Sequence, residues 1–372
     1  MTENGRQAPE PDRLTAGWLL TVAVMVLVMV VLGGLTRLTH SGLSMVEWKP
    51  LTGWLPPLSD AAWQAQFAAY QRYPEFRLLN PEMTVDGFKS IFWLEFVHRL
   101  WGRLIGLAFF VPFLVFLIRG RIRGRLAVGC AVLFALGALQ GLLGWLMVQS
   151  GLVDNPDVSA YRLAIHFVMA LLLLAALVWT ALTVLHPMTL SPSAAASRGR
   201  VRAGPLVLAL LILTTLSSGA FVAGTDAGFL FNTFPLMDGQ VVPEDAFDLV
   251  PAWRNAFENP ALVQFIHRAL ALSTLAAVIV WRAVAASSLA AAGGGLLLAA
   301  NLLLAALLLQ VGLGISTLLL HMPIAIAAWH QANGVLVWAL AVWVVFESRG
   351  LSGSRPVGVA GSELAARISR PA

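Results

Sequence analysis

The chain has 372 residues, of which 58% are hydrophobic and 12% are charged, with a net charge of +5 and a mean hydropathy of +0.79. Soluble domains of this size are nearer half apolar and a quarter charged, so the composition excludes a soluble globular protein and indicates a polytopic membrane protein. The single cysteine, Cys130, excludes an intrachain disulfide and a multi-cysteine metal site, and the basic balance indicates cytoplasmic anchoring rather than nucleic-acid binding.

Eight apolar stretches reach the length of about 20 residues that a helix needs to cross a bilayer. In chain order they lie at 15–36, 94–118, 126–148, 160–185, 204–224, 260–282, 292–319 and 324–346. Four fall in each half, and an even number brings the second half into the membrane from the same side as the first. The sequence therefore predicts an all-α polytopic membrane protein. Its two parallel-repeat four-helix bundles are expected to be related by a pseudo-twofold axis along the membrane normal.

The basic residues between the spans predict the orientation of the chain. Arginines gather after the second, fourth and sixth spans and in the C-terminal tail: Arg119, Arg121, Arg123, Arg125, Arg198, Arg200, Arg202, Arg282, Arg349, Arg355, Arg367 and Arg370. All of them face the cytoplasm if both termini do. The N-terminal segment contains Glu3, Glu10 and Asp12, unlike an acid-poor mitochondrial presequence. We therefore expect a bacterial inner-membrane protein.

The spans divide the chain into five expected parts: a cytoplasmic tail (1–14), an N-terminal bundle (15–185), a cytoplasmic linker (186–203), a C-terminal bundle (204–346) and a cytoplasmic tail (347–372). Two long connections, 37–93 and 225–259, are expected outside. The first is rich in tryptophan, tyrosine and proline, and a short amphipathic helix is expected around Ala61–Tyr73. Long connections without a span are usually functional or disordered, and the aromatic content favours ordered caps at the membrane surface.

Four histidines occupy matching places in the two halves. Glu95-Phe96-Val97-His98-Arg99 is repeated as Gln264-Phe265-Ile266-His267-Arg268, and each half supplies one further histidine, His166 or His330. Other positions match as well: Gly33, Thr39, Gly42, Gln140 and Gly144 correspond to Gly219, Thr225, Gly228, Gln310 and Gly314. Each histidine is expected roughly four to seven residues past the outer start of its helix, about 10 Å below the surface. All four are therefore expected at one depth.

Paired imidazoles on apolar helices predict a bound haem. One buried histidine could equally donate to a neighbouring helix carbonyl, but four at one depth in duplicated positions favour a function. Zinc is disfavoured because neither pair has the further nitrogen, sulfur or oxygen ligands of a closed site. Two imidazoles from facing helices suit the axial positions of haem iron. Pairing His98 with His166 and His267 with His330 gives two haem sites towards the outer face.

Arginines near these histidines are candidates to bind haem propionates. Propionates are carboxylates, and a guanidinium group offers them a bidentate fork. The candidates are Arg37, Arg99, Arg103, Arg162 and Arg268. A competing interpretation, in which the side chain extends to lipid headgroups, applies best to Arg37 and Arg162, which lie near the outer boundary.

The two halves differ beside their first histidines. Glu95 precedes His98 by one helical turn, whereas the matching residue of the second half is Gln264, which is isosteric but does not ionise. Arg103 likewise corresponds to Leu272. This difference indicates an electron-transfer haem in the second half and an acid/base group beside the iron of the first. The alternative for Glu95 is a salt bridge to Arg99 at the membrane surface.

Five segments of the chain are distinctive when taken together: Gly33-Gly34-Leu35-Thr36-Arg37-Leu38-Thr39, Ser41-Gly42-Leu43-Ser44-Met45, Tyr73-Pro74-Glu75-Phe76, Glu95-Phe96-Val97-His98-Arg99-Leu100-Trp101-Gly102-Arg103 and Trp329-His330-Gln331-Ala332-Asn333-Gly334. They resemble segments of the heme A synthases of proteobacteria and mitochondria. The resemblance covers nearly all the spans and the first long connection. It implies oxidation of the C8 methyl of haem O to the formyl of haem A through successive hydroxylations. It also implies that Glu95, His98 and His166 form the substrate haem site and that His267 and His330 bind a haem b.

The resemblance also implies partners, and two departures limit it. Haem O synthase and cytochrome oxidase assembly factors are the expected protein partners, with membrane lipid around the spans and no nucleic acid.

Another branch of the family has a cysteine pair in the first outer loop, so a mechanism that uses that disulfide cannot operate in this chain. His40 stands where this branch usually has an acidic residue, and we interpret it as a surface loop residue rather than a ligand. The electron acceptor, the oxygen source, the haem O entry route and homo-oligomer formation stay open.

Two other functions stay open on the sequence alone. A dihaem electron-transfer cytochrome, with no chemistry on either haem, explains the four histidines but not the difference between Glu95 and Gln264. A transporter with parallel repeats would need spans broken by proline or glycine around a polar site at the midplane. The histidines of this chain are instead expected near one surface.

Overall fold

The computed structural model of the protein describes residues 11–49, 52–153, 156–186, 198–291 and 294–350. Over these ranges the chain is helical, with one isolated backbone pairing between Met237 and Gln240 and no strand. Most of the expected tails and linker, with Arg355, Arg367 and Arg370, lies outside the described residues. The C-terminal part of the expected linker is helical, because the fifth long helix begins at Arg198 rather than after residue 203.

Among the described residues, eight helices are long and apolar enough to cross a membrane, which confirms the predicted number. In chain order the helices are α1 (Arg13–Leu38), α2 (Asp60–Tyr70), α3 (Val85–Ile118), α4 (Gly124–Ser150), α5 (Ala160–Leu185), α6 (Arg198–Gly224), α7 (Asn255–Glu258), α8 (Pro260–Val284), α9 (Ala286–Ala291), α10 (Gly294–Leu319) and α11 (Ile324–Glu347). The short helices α2, α7 and α9 do not span. The protein is therefore an all-helical, multi-pass membrane protein.

Side-chain caps decide where two of the histidine-bearing helices begin. The hydroxyl of Thr84 accepts from the amide of Gly87 at 3.3 Å, ahead of α3. The side-chain oxygen of Asn259 accepts from the amide of Ala261 at 2.9 Å, ahead of α8. Such oxygens satisfy amides that the first turn of a helix leaves unpaired. Pro260 then occupies the first position of α8, where a missing N–H costs nothing.

Helix α3 begins earlier than its apolar stretch predicts. The predicted span at 94–118 is wrong at its N-terminal end, because α3 starts at Val85 and is 34 residues long. Its added turns present aromatic side chains, Phe88 and Phe92 among them, which pack under the first long connection instead of facing lipid. His98 therefore lies 13 residues after the start of its helix rather than four to seven, while the other three histidines lie six or seven residues after theirs.

The eight long helices share one apolar core. In the first half α1 packs against α3 and α5, and α4 packs against α5. In the second half α6 packs against α8 and α11, and α10 packs against α11. Contacts of α5 with α6 and α11, and of α1 with α11, join the two groups. Cys130 is fully buried in this core, as expected for a small hydrophobic side chain.

Two connections, 39–84 and 225–259, mark what we call the long-loop end of the helices. In the first, α2 confirms the predicted short helix, although it ends at Tyr70 rather than Tyr73. Its buried Trp63, Phe67 and Tyr70 pack on the aromatic face of α3. The second connection consists of short helical turns, which Asn255 and Asn259 tie together through hydrogen bonds to backbone carbonyls. Both connections are folded along the lengths that the structure describes.

Candidate functional site

The four histidines lie towards the long-loop end, on alternate long helices. His98 is on α3 and His166 is on α5, and the two rings are close enough to interact electrostatically. His267 on α8 and His330 on α11 form a second interacting pair. The structure therefore brings together the residues that the repeat predicted as pairs. All four side chains are half-buried between helices.

Each histidine packs its ring against a glycine of a neighbouring helix. A Cβ atom added to Gly33 or Gly144 would lie 3.0 or 2.9 Å from Cε1 of His98 or His166. A Cβ atom added to Gly219 or Gly314 would lie 3.1 or 2.9 Å from Cε1 of His267 or His330. We call these four positions the glycine cradles. Their matching in the repeat has a physical reason, because a side chain there would occupy the space that the imidazole requires.

Matching glutamines tie two of the histidine helices to their neighbours. The side-chain amide of Gln140 on α4 donates to the carbonyl oxygen of His166 at 2.9 Å. Gln310 on α10 makes the same contact with the carbonyl oxygen of His330 at 3.0 Å. A buried polar side chain inside a membrane bundle is expected to hydrogen-bond across helices in this way. These contacts hold the backbone that presents each imidazole.

The imidazoles of the second half are further fixed by side chains. Oγ of Ser218 lies 2.9 Å from Nδ1 of His267, and its own hydroxyl donates to the carbonyl of Thr215 at 2.7 Å. Ser218 therefore accepts a hydrogen bond from Nδ1–H, which leaves the Nε2 lone pair of His267 available for a metal. Nδ1 of His330 lies 3.2 Å from the amide nitrogen of Gln310. That glutamine is held in turn by Asn333, whose amide donates to its oxygen at 2.8 Å.

The imidazoles of the first half are not held in this way. Nδ1 of His98 and Nδ1 of His166 are shielded from solvent and have no hydrogen-bond partner in the structure. The residues that match Ser218 and Asn333 in the repeat are Leu32 and Met169, which offer no comparable hydrogen bond. Comparing the sequences of the two halves did not predict this second asymmetry. The replacement of Ser218 by Leu32 and of Asn333 by Met169 in the repeat could have indicated it.

Glu95 is a buried carboxylate held against the first long connection. It is 2% exposed, and one oxygen accepts hydrogen bonds from the hydroxyl of Ser44 and the amide of Met45, both at 2.7 Å. Its other oxygen accepts from Nε of Arg99 at 3.0 Å. The salt bridge that the i, i+4 spacing allowed is therefore present, but it lies in the interior rather than at an exposed surface. Gln264 donates instead to the carbonyl of Phe231 at 3.3 Å.

Arg99 and Arg268 hold matching segments of the two long connections. Arg99 donates to the carbonyl of Met45 at 2.7 Å and to that of Glu47 at 3.0 Å. Arg268 donates to the carbonyl of Phe231 at 2.5 Å and to that of Thr233 at 2.8 Å, the two positions that match Met45 and Glu47 in the repeat. Nε of Arg268 is buried without a partner. Both arginines therefore order a loop above a histidine pair.

The other three arginines also contact protein groups. Arg103 donates to the carbonyl of Lys49 at 2.8 Å and lies 5.9 Å from the ring centre of Trp54. Arg37 forms an ion pair of 2.8 Å with Asp226, which joins the long-loop ends of the two halves. Arg162 is exposed and donates to the carbonyl of Leu146 at 2.7 Å. The assignment of the five arginines to haem propionates stays a prediction.

Two further observations concern metals and His40. Among the described residues, no three histidine, cysteine, aspartate or glutamate side chains gather as a metal site would need. Each half instead offers a pair of imidazoles, which suits the axial positions of an iron whose other ligands belong to a porphyrin.

His40 is exposed, and His40 and the matching Asp226 adopt positive φ angles of 50° and 53°. His40 thus lies at an exposed turn.

Comparison with known proteins gives one consistent result. Residues 16–342 match the COX15-CtaA family, described as a cytochrome oxidase assembly protein. The chain is 45% identical over 342 residues to a heme A synthase of Rhodospirillum centenum, covering 91% of this chain and 89% of the relative. It is 47% identical over 330 residues to that of Parvibaculum lavamentivorans, covering 89% and 93%, and 46% identical over 336 residues to that of Nitrosospira multiformis, covering 89% and 92%.

Proposed function

The chain belongs to the COX15-CtaA family of cytochrome oxidase assembly proteins, and we propose on this basis that it is a heme A synthase. Its reaction is the oxidation of the C8 methyl group of haem O to the formyl group of haem A through successive hydroxylations. The observation that best supports this reaction is the asymmetry of the two histidine pairs. Glu95 and two imidazoles without a side-chain partner at Nδ1 occupy the first half, while Gln264 and two imidazoles with such a partner occupy the second.

The second half is proposed to hold a resident haem b. His267 and His330 are the proposed axial ligands, and haem supplies one-electron transfer when it is bound there. The fit rests on the glycine cradles and on Ser218, which orients His267 with Nε2 free. Side chains that orient metal ligands raise affinity for the metal group. A permanently bound cofactor requires this kind of preorganised site.

The first half is proposed to bind haem O and release haem A. His98 and His166 are the proposed ligands, and their Nδ1 atoms have no side-chain partner of the kind that Ser218 provides to His267. Glu95 is the proposed acid/base group, because methyl oxidation releases protons as well as electrons. Its carboxylate can take up and pass on a proton, which the amide of Gln264 cannot do. Ser44, Met45 and Arg99 position that carboxylate.

The arginines are proposed to assist both sites from the long-loop end. Arg99 and Arg268 hold the loops over the two sites, and the buried Nε of Arg268 retains a donor for a propionate. Arg37, Arg103 and Arg162 are proposed as further propionate contacts. These three would have to share or exchange their present protein partners to bind a propionate.

We further propose that the two halves are parallel repeats related by a pseudo-twofold axis along the membrane normal. Helix contacts support this arrangement, because the contact of α1 with α11 has its counterpart in the contact of α6 with α5. The proposed units are the bundles 15–185 and 204–346, joined by a linker at 186–203 and flanked by tails at 1–14 and 347–372. Both tails are proposed to face the cytoplasm of a bacterial cell, with the long-loop end at the outer face of the inner membrane. Haem O synthase and oxidase assembly factors are the proposed partners.

Pigment analysis tests the proposed reaction. The purified protein, co-expressed with a haem O synthase, is expected to yield haem b together with haem A or hydroxylated haem O, identified by mass. Its redox spectrum is expected to contain a low-spin b-type signal. Recovery of haem b alone, with haem O unchanged in the membranes, would instead indicate a dihaem electron-transfer cytochrome.

A further inference from the structure

A second carboxyl group, that of Glu75, is buried at the long-loop end and is not used by the chemistry described above. Glu75 lies in a short π-helical turn, Glu75–Leu79, directly after Pro74. It is 3% exposed, and its Oε2 atom has no hydrogen-bond partner. Burying a carboxyl group with an unsatisfied oxygen costs free energy, so its presence inside the first long connection needs a reason.

One aromatic cluster encloses both Glu75 and Glu95. Phe76, next to Glu75, packs against Tyr70 and Phe67, with ring centres 5.8 and 5.7 Å apart. Phe96, next to Glu95, belongs to the same cluster and stacks on Phe92 at 6.0 Å. The two carboxyl groups interact electrostatically through this apolar surrounding. Both carboxyl groups are therefore buried beside one aromatic cluster rather than exposed as separate surface acids.

The charged and titratable groups around Glu75 come from α2, from α3 and from its own π-helical turn. Tyr70 faces it from α2, and Glu95, paired with Arg99, faces it from α3. At the start of α3, Lys89 is paired with the exposed Asp86. On its own turn, the side chain of Arg77 is exposed. Arg99 forms an ion pair with the carboxyl group of Glu95. Among the described residues, no cation forms such a pair with the carboxyl group of Glu75.

These surroundings set the protonation of Glu75. Burial raises its pKa, a hydrogen bond with Tyr70 opposes that rise, and the charge of Glu95 raises the pKa further, to about 7. A carboxyl group with this pKa exchanges its proton readily near neutral pH. Protons that reach Glu95 from a reacting methyl group need an acceptor, since Arg99 cannot be deprotonated in a protein.

We propose that Glu75 is a proton-relay residue that accepts protons from Glu95 and releases them to water at the long-loop end. The inference rests on the proposed function, because the protons come from the oxidation of haem O. In each transfer the carboxylate of Glu75 takes up one proton that leaves protonated Glu95, and Glu95 returns to its carboxylate form. Glu75 acts through Glu95 and does not touch the substrate.

Glu75→Gln tests the relay, with Glu82→Gln as the matched control because Glu82 is an exposed carboxyl in the same connection. In the infrared spectrum of the purified protein, a protonated-acid C=O band is expected at pH 6 that disappears as the pH rises through about 7. Glu75→Gln is expected to lack this band, and Glu82→Gln to retain it. Haem A formation by the wild type is expected to rise about 10-fold between pH 6 and 8, as the deprotonated fraction of one such group does. Glu75→Gln is expected to lose that rise.

Tyr70→Phe provides a second variant that keeps the Glu75 carboxyl group. Removing the hydrogen bond that lowers the pKa of Glu75 should move the pH dependence to higher pH, an effect that a purely structural role would not produce. The relay alone would be overturned if the protonated-acid C=O band persisted in Glu75→Gln. It would also be overturned if that variant formed haem A with the wild-type pH profile. A wild-type protein that makes no haem A would overturn the proposed function, and the relay with it.

Discussion

Gly314→Ala, which adds one methyl group, should weaken haem binding in the second half. The new Cβ atom would lie 2.9 Å from Cε1 of His330, whereas ordinary contacts begin at 3.4 Å, so the ring must move by about 0.5 Å. Gln310, one turn before Gly314 on the same helix, contacts both that ring and the carbonyl of His330, so the movement disturbs these contacts. Overpacking of this kind costs about 1–3 kcal/mol. The cost corresponds to a loss of haem affinity of about 5- to 140-fold.

Gly312→Ala is the matched control for Gly314→Ala. Gly312 lies two residues earlier on the same helix, and a Cβ atom there meets nothing within 4 Å. Both variants gain the helix propensity of alanine, about 1 kcal/mol, so a difference between them reports the cradle and not the helix. The assay is the haem-to-protein ratio of the purified protein, with its reduced-minus-oxidised spectrum. Equal haem content and identical low-spin spectra in the two variants would refute the cradle argument.

Three further predictions address the ligands, their supports and the topology. His267→Ala and His330→Ala should each remove the low-spin b-type spectrum while the protein stays in the membrane, because loss of one axial ligand leaves the iron five-coordinate; an unchanged spectrum in both would make these histidines structural. Ser218→Ala should lower haem affinity about 10- to 100-fold and raise the reduction potential, because His267 becomes a weaker donor. Ser217→Ala should do neither, because the hydroxyl of Ser217 donates to the carbonyl of Leu213 on its own helix. Titration with haem and redox potentiometry check both variants. Reporter fusions after Gly124 and Arg200 should read as cytoplasmic and fusions after Pro156 and Met322 as external, and a reversed result at any two of these sites would break the proposed repeat.

The number of spans and the pairing of the histidines could be predicted from the sequence because both depend on patterns that repeat along the chain. Apolar length predicts a span, and the duplicated segments around His98 and His267 predict which helices carry the paired histidines. The N-terminal end of α3 could not be predicted in this way, because Phe88 and Phe92 pack on α2 and their burial depends on tertiary contacts. Hydropathy does not distinguish such a packed helix from a loop.

The surroundings of the histidines required the structure. The arginines were predicted from their chemistry as propionate ligands, yet Arg99 and Arg268 also donate to loop carbonyls that lie far away in sequence. Ser218 orients His267 only because α6 packs beside α8. The burial of Glu75 depends on how α2 folds over α3. In each case the partner comes from a different helix, which local sequence does not specify.

Glu95→Gln tests the central claim, that the first half performs chemistry and the second transfers electrons. The substitution makes the first half resemble the second at this position and removes the proton-accepting carboxylate, which typically contributes about 10²- to 10⁴-fold to a rate. Glu47→Gln is the control, because Glu47 lies in the same connection with a half-exposed side chain. After co-expression with haem O synthase, Glu95→Gln should keep the haem b spectrum and accumulate haem O or its alcohol, while Glu47→Gln makes haem A. Normal haem A formation by Glu95→Gln would contradict the account and leave Glu95 as a structural partner of Arg99.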